Sequence, residues 1–299
     1  MRTLLFGRSG QVGWELERCL NVLGEVVAVD RAKVDLRDIN AVRACVSRNR
    51  PDVIVNAAGY TNVDGAEANS REANEVNALA PAAMATEARA ARALFVHFST
   101  DYVFDGGKAG AWTEADQASP LNAYGRSKLF GEKEIRRIAP PHLILRTSWV
   151  YAARGHNFLL TMLRLAREGR TIRVVDDQQG APTWARFVAQ AAVMLIHRVK
   201  TEPAMRLLAE RGEVVNVTNT GATTWHGFAS YALAKYAEST GSVLPRMDSI
   251  ASSAFAAAAK RPANSLLDTS RLTRVWDIYA PPWEVSCDQV IAEIVGGEE

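Results

Sequence analysis

The stretch "TLLFGRSGQVGWEL", residues 3–16, determines the fold that the sequence predicts. A short apolar run ends in glycine, as a buried parallel strand does, and Val12, Leu16 and Leu20 then recur at helical spacing. Between the two elements lie the glycines of a G-x-x-G-x-x-G pattern: Gly7, Gly10 and Gly13. Such a loop lets backbone N–H groups at the start of a helix approach a pyrophosphate. We therefore predict a nucleotide-binding strand–loop–helix unit.

Apolar runs and helical patterns continue to alternate through the first half of the chain. The runs are "EVVAVD", "DVIVNAAG", "ALFVHFST" and "HLILRTSWVY", and the alanine-rich segment 72–92 reads as one long helix. This alternation predicts an α/β fold, a Rossmann-like doubly wound parallel sheet with helices on both faces. The pattern becomes irregular after Tyr151, which favours a smaller C-terminal α/β lobe. We expect the main domain in 1–150, with a helix near 184–198 returning to it, and the lobe in 151–183 and 215–299.

Bulk composition excludes several classes of protein. The chain has 299 residues, of which 48% are hydrophobic, and its 35 basic residues nearly balance its 33 acidic ones. This balance argues against a nucleic-acid partner, and no apolar segment is long enough to predict a membrane span. Three widely separated cysteines, Cys19, Cys45 and Cys287, fit neither a disulfide framework nor a metal site. They favour a reducing, cytoplasmic location.

Charged residues beside the glycine loop bear on the choice of cofactor. Asp30 ends the second apolar run, where a carboxylate would accept hydrogen bonds from an adenosine ribose and favour NAD. Arg8 and Arg31 could each neutralise a 2′-phosphate and favour NADP, or they could be solvated surface residues. The expected cofactor is therefore NADH or NADPH. Asp35 and Leu36 are placed to meet the adenine edge.

The segment "SPLNAYGRSK" indicates acid catalysis beside that cofactor. Tyr124 and Lys128 lie four residues apart, on one face of a helix that Asn122 could cap. A phenol normally has a pKa of about 10, and we expect the nearby ammonium, together with the positive nicotinamide of the oxidised cofactor, to lower the pKa of Tyr124. Tyr124 could then protonate a carbonyl oxygen while hydride reaches its carbon. A hydroxyl of Ser99 or Thr100, at the end of the fourth strand, could polarise that carbonyl.

Together these motifs carry a family resemblance. The chain resembles the extended short-chain dehydrogenases/reductases and, among them, the family of dTDP-4-dehydrorhamnose reductases. The resemblance rests on blocks spread over almost the whole chain: "LLFGRSGQVGWEL", "RPDVIVNAAGYTNVDGAE", "STDYVFDG", "SPLNAYGRSKLFGE", "LILRTSWVYA", "NFLLTMLRLA", "DDQQGAPT" and "RPANSLLDTSRL". It implies an NAD(P)-binding domain, a substrate-binding lobe, and reduction of the 4-keto group of a dTDP-linked sugar, dTDP-4-dehydro-β-L-rhamnose, to dTDP-L-rhamnose.

The resemblance also implies residue roles. Tyr124 would be the proton donor, Lys128 its partner and a ligand of the nicotinamide ribose, and Thr100 the group that polarises the ketone. The implied cofactor ligands are Gly7, Gly10, Gln11, Val12, Gly13, Asp30, Asp35, Leu36, Gly59, Tyr60, Thr61, Tyr124 and Lys128. The implied substrate ligands are Thr100, Asp101, Tyr102, Trp149 and Arg261. Trp149 would form an aromatic wall for the hexose, unless it is a core tryptophan. The residues of "AKRPANSLLD" offer Lys260 and Arg261 to a nucleotide diphosphate, or this segment is a solvated loop.

Other functions remain open or are disfavoured. Related dehydratases carry an Asp-Glu pair after the threonine, and Tyr102 cannot replace that second carboxylate, so dehydration is not expected. A non-catalytic regulatory subunit, similar to the β subunit of methionine adenosyltransferase, and another nucleotide-sugar epimerase or reductase remain alternatives. The sequence leaves a homodimer open. Some relatives are associated with Mg²⁺, but no carboxylate cluster has ligand spacing, so we expect no metal and interpret Glu15 as surface charge.

Overall fold

The computed structural model describes residues 1–297, and at its centre lies a six-stranded parallel sheet. The strands are β1 (Arg2–Phe6), β2 (Glu25–Val29), β3 (Val53–Asn56), β4 (Leu94–Thr100), β5 (His142–Thr147), β6 (Val150–Tyr151), β7 (Ile172–Val175), β8 (Gln179–Gly180), β9 (Thr183–Trp184), β10 (Glu213–Asn216), β11 (Thr223–Thr224) and β12 (Met247–Ile250). The α-helices are α1 (Gln11–Cys19), α2 (Ile39–Asn49), α3 (Val63–Ala68), α4 (Ser70–Asn74), α5 (Ala80–Ala91), α6 (Ala123–Ile138), α7 (Phe158–Arg167), α8 (Ala185–Thr201), α9 (Pro203–Arg211), α10 (Trp225–Thr240), α11 (Ser270–Trp276) and α12 (Trp283–Gly296).

The order of the central strands is β2-β1-β3-β4-β5-β10, and every neighbouring pair is parallel. From β1 the chain runs first to β2 on one side and then to β3 on the other. Strand order therefore reverses at β1, and ligands of such sheets bind beyond the carboxyl ends of the strands at this point. The predicted Rossmann-like doubly wound fold is confirmed.

The two faces of the sheet bury separate clusters, because successive strand residues point to opposite sides. Leu5 of β1 packs in one cluster with Leu16 of α1, and α8 lies beside α1 on this face. Leu4 belongs to the other cluster, with Val42 of α2 and Met84 of α5. The glycine loop thus begins from a strand that is held from both sides.

The long helix predicted over 72–92 is wrong in detail. The chain forms α4, then a π-helical turn over Glu75–Leu79, and then α5. Pro81 lacks an N–H group and cannot donate to the Asn77 carbonyl four residues earlier. Helix α6 packs closely there, since a Cβ on Gly131 would lie 2.2 Å from that carbonyl oxygen. Asn77 lies in this turn, and its side chain hydrogen-bonds the backbone of Tyr60.

The C-terminal part contributes both to the main sheet and to a smaller assembly. Strand β10 pairs with β5, so residues 215 and 216, predicted for the lobe, lie in the central sheet. Short pairs β6–β9, β7–β12 and β8–β11 connect the segments predicted for the lobe. The division into two domains stays a prediction, and its last two residues, 298 and 299, lie outside the described part. Within residues 1–297, no helix combines the length and apolarity needed to cross a membrane.

Candidate active site

The glycine loop leaves no room for side chains between β1 and α1. Gly7 has φ +92°, and a Cβ there would lie 2.6 Å from the Ala58 nitrogen. A Cβ on Gly13 would lie 1.9 Å from the Gly7 oxygen, so Gly13 serves close packing of the helix on the loop. Gly10 precedes α1 without a side-chain cap, which leaves the first N–H groups of the helix accessible to an anion. This cradle fits a dinucleotide pyrophosphate.

Two adjoining cavities lie at the carboxyl ends of the strands. The smaller, of about 140 Å³, is lined by the residues predicted for the adenosine, Asp30, Asp35 and Leu36, and by Gly59 and Tyr60, which were predicted for the ribose and nicotinamide side. Arg37 binds Asp35 at 2.6 Å, and this bond is the main reason that the pKa of Asp35 falls to about 2. Arg31 borders both cavities and is largely exposed, whereas Arg8 is turned towards Glu17 at 2.8 Å. Of the two arginines, Arg31 is the one placed to meet a 2′-phosphate.

The larger cavity, of about 670 Å³, brings together most of the remaining predicted residues, and its size suits a small-molecule ligand. Its predicted lining residues are Gly7, Gly10, Gln11, Val12, Gly59, Thr61, Thr100, Asp101, Tyr102, Tyr124, Lys128 and Trp149. Gly13 and Arg261 are not part of this lining. The glycine loop therefore opens into the same space as the Tyr–Lys pair, as a redox site requires.

Tyr124 lies in the first turn of α6, where Asn122 caps the helix by accepting from the Gly125 N–H at 2.8 Å. The Thr100 side chain lies near Tyr124, where it acts to lower the pKa of the phenol. The ring of Tyr124 also meets the edge of Tyr102, with the two ring centres 5.8 Å apart. One hydroxyl from β4 and one from α6 therefore converge where a carbonyl oxygen could accept from both.

The expectation that the Lys128 ammonium lowers the pKa of Tyr124 is wrong in this structure. Burial raises the pKa of Tyr124 to about 12, and Lys128 is not among the groups that lower it. Burial also lowers the pKa of Lys128 to about 8. The amine points beneath the site, where Nζ donates to the Phe98 carbonyl at 2.5 Å. Both groups are desolvated, and desolvation disfavours the phenolate and the ammonium alike.

Asp101 is the most unusual carboxylate of the cleft. It is 3% exposed, and the Thr100 hydroxyl donates to Oδ1 at 3.0 Å. Oδ2 has no hydrogen-bond partner. Burial raises the pKa of Asp101 to about 6, although the neighbouring hydroxyls of Ser265, Thr100 and Ser148 act against it. Asp101 also borders the larger cavity, so its carboxyl group lies close to a ligand bound there.

Trp149 has the strained backbone and the stacked ring of a positioned side chain. Its φ is +47°, an uncommon conformation for a large residue. The indole lies parallel to that of Trp225, with ring centres 3.5 Å apart, and a Cβ on Gly180 would collide with it. Both indoles border the larger cavity. Trp149 is thus an aromatic wall of the cleft.

Arg261 is engaged by the protein itself. Its guanidinium pairs with Asp64 of α3 at 2.7 Å, and the nearby Tyr102 side chain adds to the rise in the pKa of Arg261. The neighbouring Lys260 carbonyl accepts from the Asn122 side chain at 2.9 Å. These bonds fix a C-terminal segment against the helix that carries Tyr124. Arg261 does not line the larger cavity, and its role as a substrate ligand stays a prediction.

Several polar residues near the site were not predicted. Asn77 Oδ1 accepts from the Tyr60 N–H at 2.8 Å, and Asn77 Nδ2 donates to the Tyr60 carbonyl at 3.0 Å. The same Nδ2 also donates to the Ser127 hydroxyl. Asn56 and His97 are buried in β3 and β4. The sequence shows both as polar residues in otherwise apolar strands. Asn56 ends "DVIVN", and His97 lies within "ALFVHFST".

The interpretation of Glu15 as surface charge is wrong. Glu15 is 4% exposed, and Arg186 of α8 pairs with it at 3.1 Å while also bonding Glu293 of α12. The Arg186 guanidinium binds the carboxylates of both Glu15 and Glu293, so these residues do not fit Mg²⁺. Across residues 1–297, no group of three or more His, Cys, Asp or Glu side chains could hold a metal ion.

Comparisons with known proteins give a consistent result. The sequence model of a protein family, the RmlD substrate binding domain, matches residues 1–295. The chain is 41% identical to a dTDP-4-dehydrorhamnose reductase of Burkholderia thailandensis, over 99% of each protein, and 42% identical to that of Salmonella typhimurium, over 98% of each. Among solved structures, a Bacillus anthracis dTDP-4-dehydrorhamnose reductase in complex with NADP is similar, with a TM-score of 0.88 and 31% identity, covering 98% of this chain and 99% of that one. These matches extend over almost the whole chain, and the chain belongs to the dTDP-4-dehydrorhamnose reductase family.

Proposed function

We propose that this protein is an NAD(P)H-dependent oxidoreductase that reduces the 4-keto group of dTDP-4-dehydro-β-L-rhamnose to give dTDP-L-rhamnose. The observation that carries the proposal is the convergence of Thr100, Tyr124 and Lys128 at the carboxyl end of β4, in the cavity that the glycine loop also borders. Relatives over the full length are named for this reaction, and one similar structure holds NADP.

In this proposal the chain supplies the proton and the polarisation. A bound dihydronicotinamide supplies the hydride. Thr100 and Tyr124 hold the ketone oxygen between their hydroxyls, and Tyr124 passes its proton to that oxygen as the carbon is reduced. Trp149 and Asp101 would position the hexose, one by its face and the other by its unbonded oxygen. Neutral Tyr124 is the form that burial favours, which suits a proton donor.

The cofactor ligands are assigned according to which of the two cavities each residue lines. Asp30, Asp35 and Leu36 would hold the adenosine, with Gly10, Gln11 and Val12 at the pyrophosphate. Gly59, Tyr60 and Thr61 would lie along the ribose and nicotinamide side, and Lys128 would reach the nicotinamide ribose. The exposed position of Arg31 supports use of NADPH alongside NADH.

Domain roles and cellular context complete the proposal. Residues 1–150 with α8 would bind the cofactor, and segments of the C-terminal part would bind the dTDP-sugar. Cys19, Cys45 and Cys287 are all unpaired, which supports a reducing, cytoplasmic location. A homodimer stays a prediction, to be checked by light scattering of the purified protein.

The test is a turnover assay with a matched pair of tyrosine variants. Purified protein mixed with NADPH and the 4-keto sugar nucleotide should consume the dihydronicotinamide absorbance. Tyr124→Phe should slow turnover by roughly a hundredfold or more, as loss of an acid catalyst does. Tyr151→Phe is the control, because the Tyr151 hydroxyl is buried and has no hydrogen-bond partner. Equal turnover of the two variants would remove Tyr124 from the mechanism. Absence of turnover together with tight cofactor binding would favour a regulatory subunit.

A further inference from the structure

Three buried polar side chains form a chain of contacts beneath the cleft. Asn56 ends β3, His97 lies in β4 and Lys128 in α6, and none of them is more than 5% exposed. Asn56 Nδ2 lies 3.1 Å from His97 Nδ1. On the other side of the ring, His97 Nε2 lies 3.4 Å from Lys128 Nζ. The imidazole therefore connects the sheet interior with the predicted partner of Tyr124.

The orientation of the Asn56 amide is fixed by a backbone donor. The Ala58 N–H donates to Asn56 Oδ1 at 3.2 Å, and only an oxygen can accept from it. The atom facing His97 is therefore the NH₂ group, which only donates. His97 Nδ1 must accept this bond, and a neutral imidazole that accepts at Nδ1 carries its hydrogen on Nε2. Complete burial holds the pKa of His97 well below its ordinary value, which supports the neutral ring.

The hydrogen on Nε2 points towards the Lys128 amine. An ammonium has three donors and no acceptor, whereas an uncharged amine has a lone pair that can accept this N–H. The uncharged amine can accept from His97 and still donate to the Phe98 carbonyl at 2.5 Å. The ammonium would place two donors against each other at His97. The contact therefore discriminates between the two protonation states of Lys128.

We propose that His97, held by Asn56 as the Nε2–H tautomer, is a positioning residue that lowers the proton affinity of Lys128. Burial of Lys128 acts in the same direction, and Glu132, one turn further along α6, acts in the opposite one. His142 of β5 is the other titratable group that acts on His97. The balance of burial and Glu132 lowers the pKa of Lys128 to about 8.

The consequence for reduction rests on the proposed function. Tyr124 gives its proton to the ketone oxygen while the carbonyl carbon receives the hydride electron pair, which leaves a phenolate. A proton from solvent then restores Tyr124. An uncharged Lys128 bordering the same cavity leaves the phenolate without a neighbouring cation, which favours the neutral phenol that donates.

The test reads the tautomer directly in the full-length wild-type protein without substrate. Nitrogen-15 NMR of labelled histidines, with His97 assigned through His97→Gln, should show the Nε2–H form of His97 unchanged between about pH 6 and pH 9. Exposed His197 gives a reference for a solvated ring through His197→Gln. An Nδ1–H form of His97, or a protonated ring in this range, would overturn the proposal whether or not the protein reduces sugars.

A matched pair of variants tests the effect on Lys128. Asn56→Asp replaces the NH₂ donor by an acceptor and should convert His97 to the Nδ1–H form, so that Nε2 accepts from the ammonium. Asn77→Asp places a carboxylate near the same amine without contacting His97, and it controls for added charge. The titration midpoint of Lys128, followed by carbon-13 NMR of labelled lysine, should rise by at least about one pH unit more in Asn56→Asp than in Asn77→Asp. Equal rises would overturn the proposal.

Discussion

Asp101 lies in the cleft with one carboxylate oxygen bonded to Thr100 and the other without a partner. The site therefore stabilises the neutral acid relative to the carboxylate. The folded protein holds the pKa of Asp101 at about 6, against 3.8 for the ordinary value. Because the folded pKa is the higher one, its contribution to stability is complete below about pH 4 and is lost as pH rises through 6.

Asp101→Asn tests this linkage, since asparagine resembles the neutral acid in shape. Relative to wild type, the variant should gain free energy of unfolding between about pH 4 and pH 7, by on the order of 3 kcal/mol at the upper end. Urea unfolding at both pH values measures the gain. Asp105→Asn, at an exposed position, is the control and should show no such change. A difference that does not depend on pH would contradict the assignment.

At the scale of elements, a buried ion pair anchors the helix that carries Tyr124. Glu132 of α6 is fully buried and binds the Arg146 guanidinium of β5 through two bonds, at 2.9 and 2.8 Å. The Ser99 hydroxyl of β4 donates to the same carboxylate at 2.6 Å. These bonds connect the ends of β4 and β5 with the helix that carries Tyr124.

Glu132→Gln should destabilise the fold by roughly 3–5 kcal/mol, because it leaves the Arg146 charge buried and uncompensated. Glu134→Gln is the matched control on the same helix. It removes an ion pair with the exposed Arg137, and such surface pairs contribute about 0.2–1 kcal/mol. Thermal or urea denaturation of both variants gives the comparison. Equal losses would show that the buried pair is not the anchor of α6.

Elements differ in how far the sequence predicts them. Strands β1 to β5 and helix α6 could be predicted because apolar runs and helix caps are local patterns, set by residues that are neighbours in the sequence. The break before α5 was missed because it depends on Pro81, the packing of Gly131 and the Asn77 carbonyl together, and only the first is visible locally. The Lys128 amine was assigned to Tyr124 by helical spacing, which could not reveal the competing Phe98 carbonyl.

At the scale of the whole molecule, the cleft could be predicted and the long-range charge pairs could not. The carboxyl ends of parallel strands meet at one edge, so residues after each strand were expected to gather there, and Gly10, Thr100, Tyr124 and Trp149 do. Arg186 lies 171 residues from Glu15, and no local pattern relates the two. Their pairing depends on how α8 returns to lie beside α1.

This pairing leads to a prediction about the entire fold, because Arg186 joins α1 to both α8 and the C-terminal helix α12. Arg186→Gln leaves the buried carboxylate of Glu15 without a cation and should cost roughly 2 kcal/mol, less than a fully buried pair since Arg186 is partly exposed. Arg164→Gln, which breaks the exposed pair with Glu168, should cost less than about 1 kcal/mol. Since the guanidinium already neutralises Glu15, a chelator should leave the wild-type melting temperature unchanged. A lower melting temperature that Mg²⁺ restores would show that a metal ion performs this role instead.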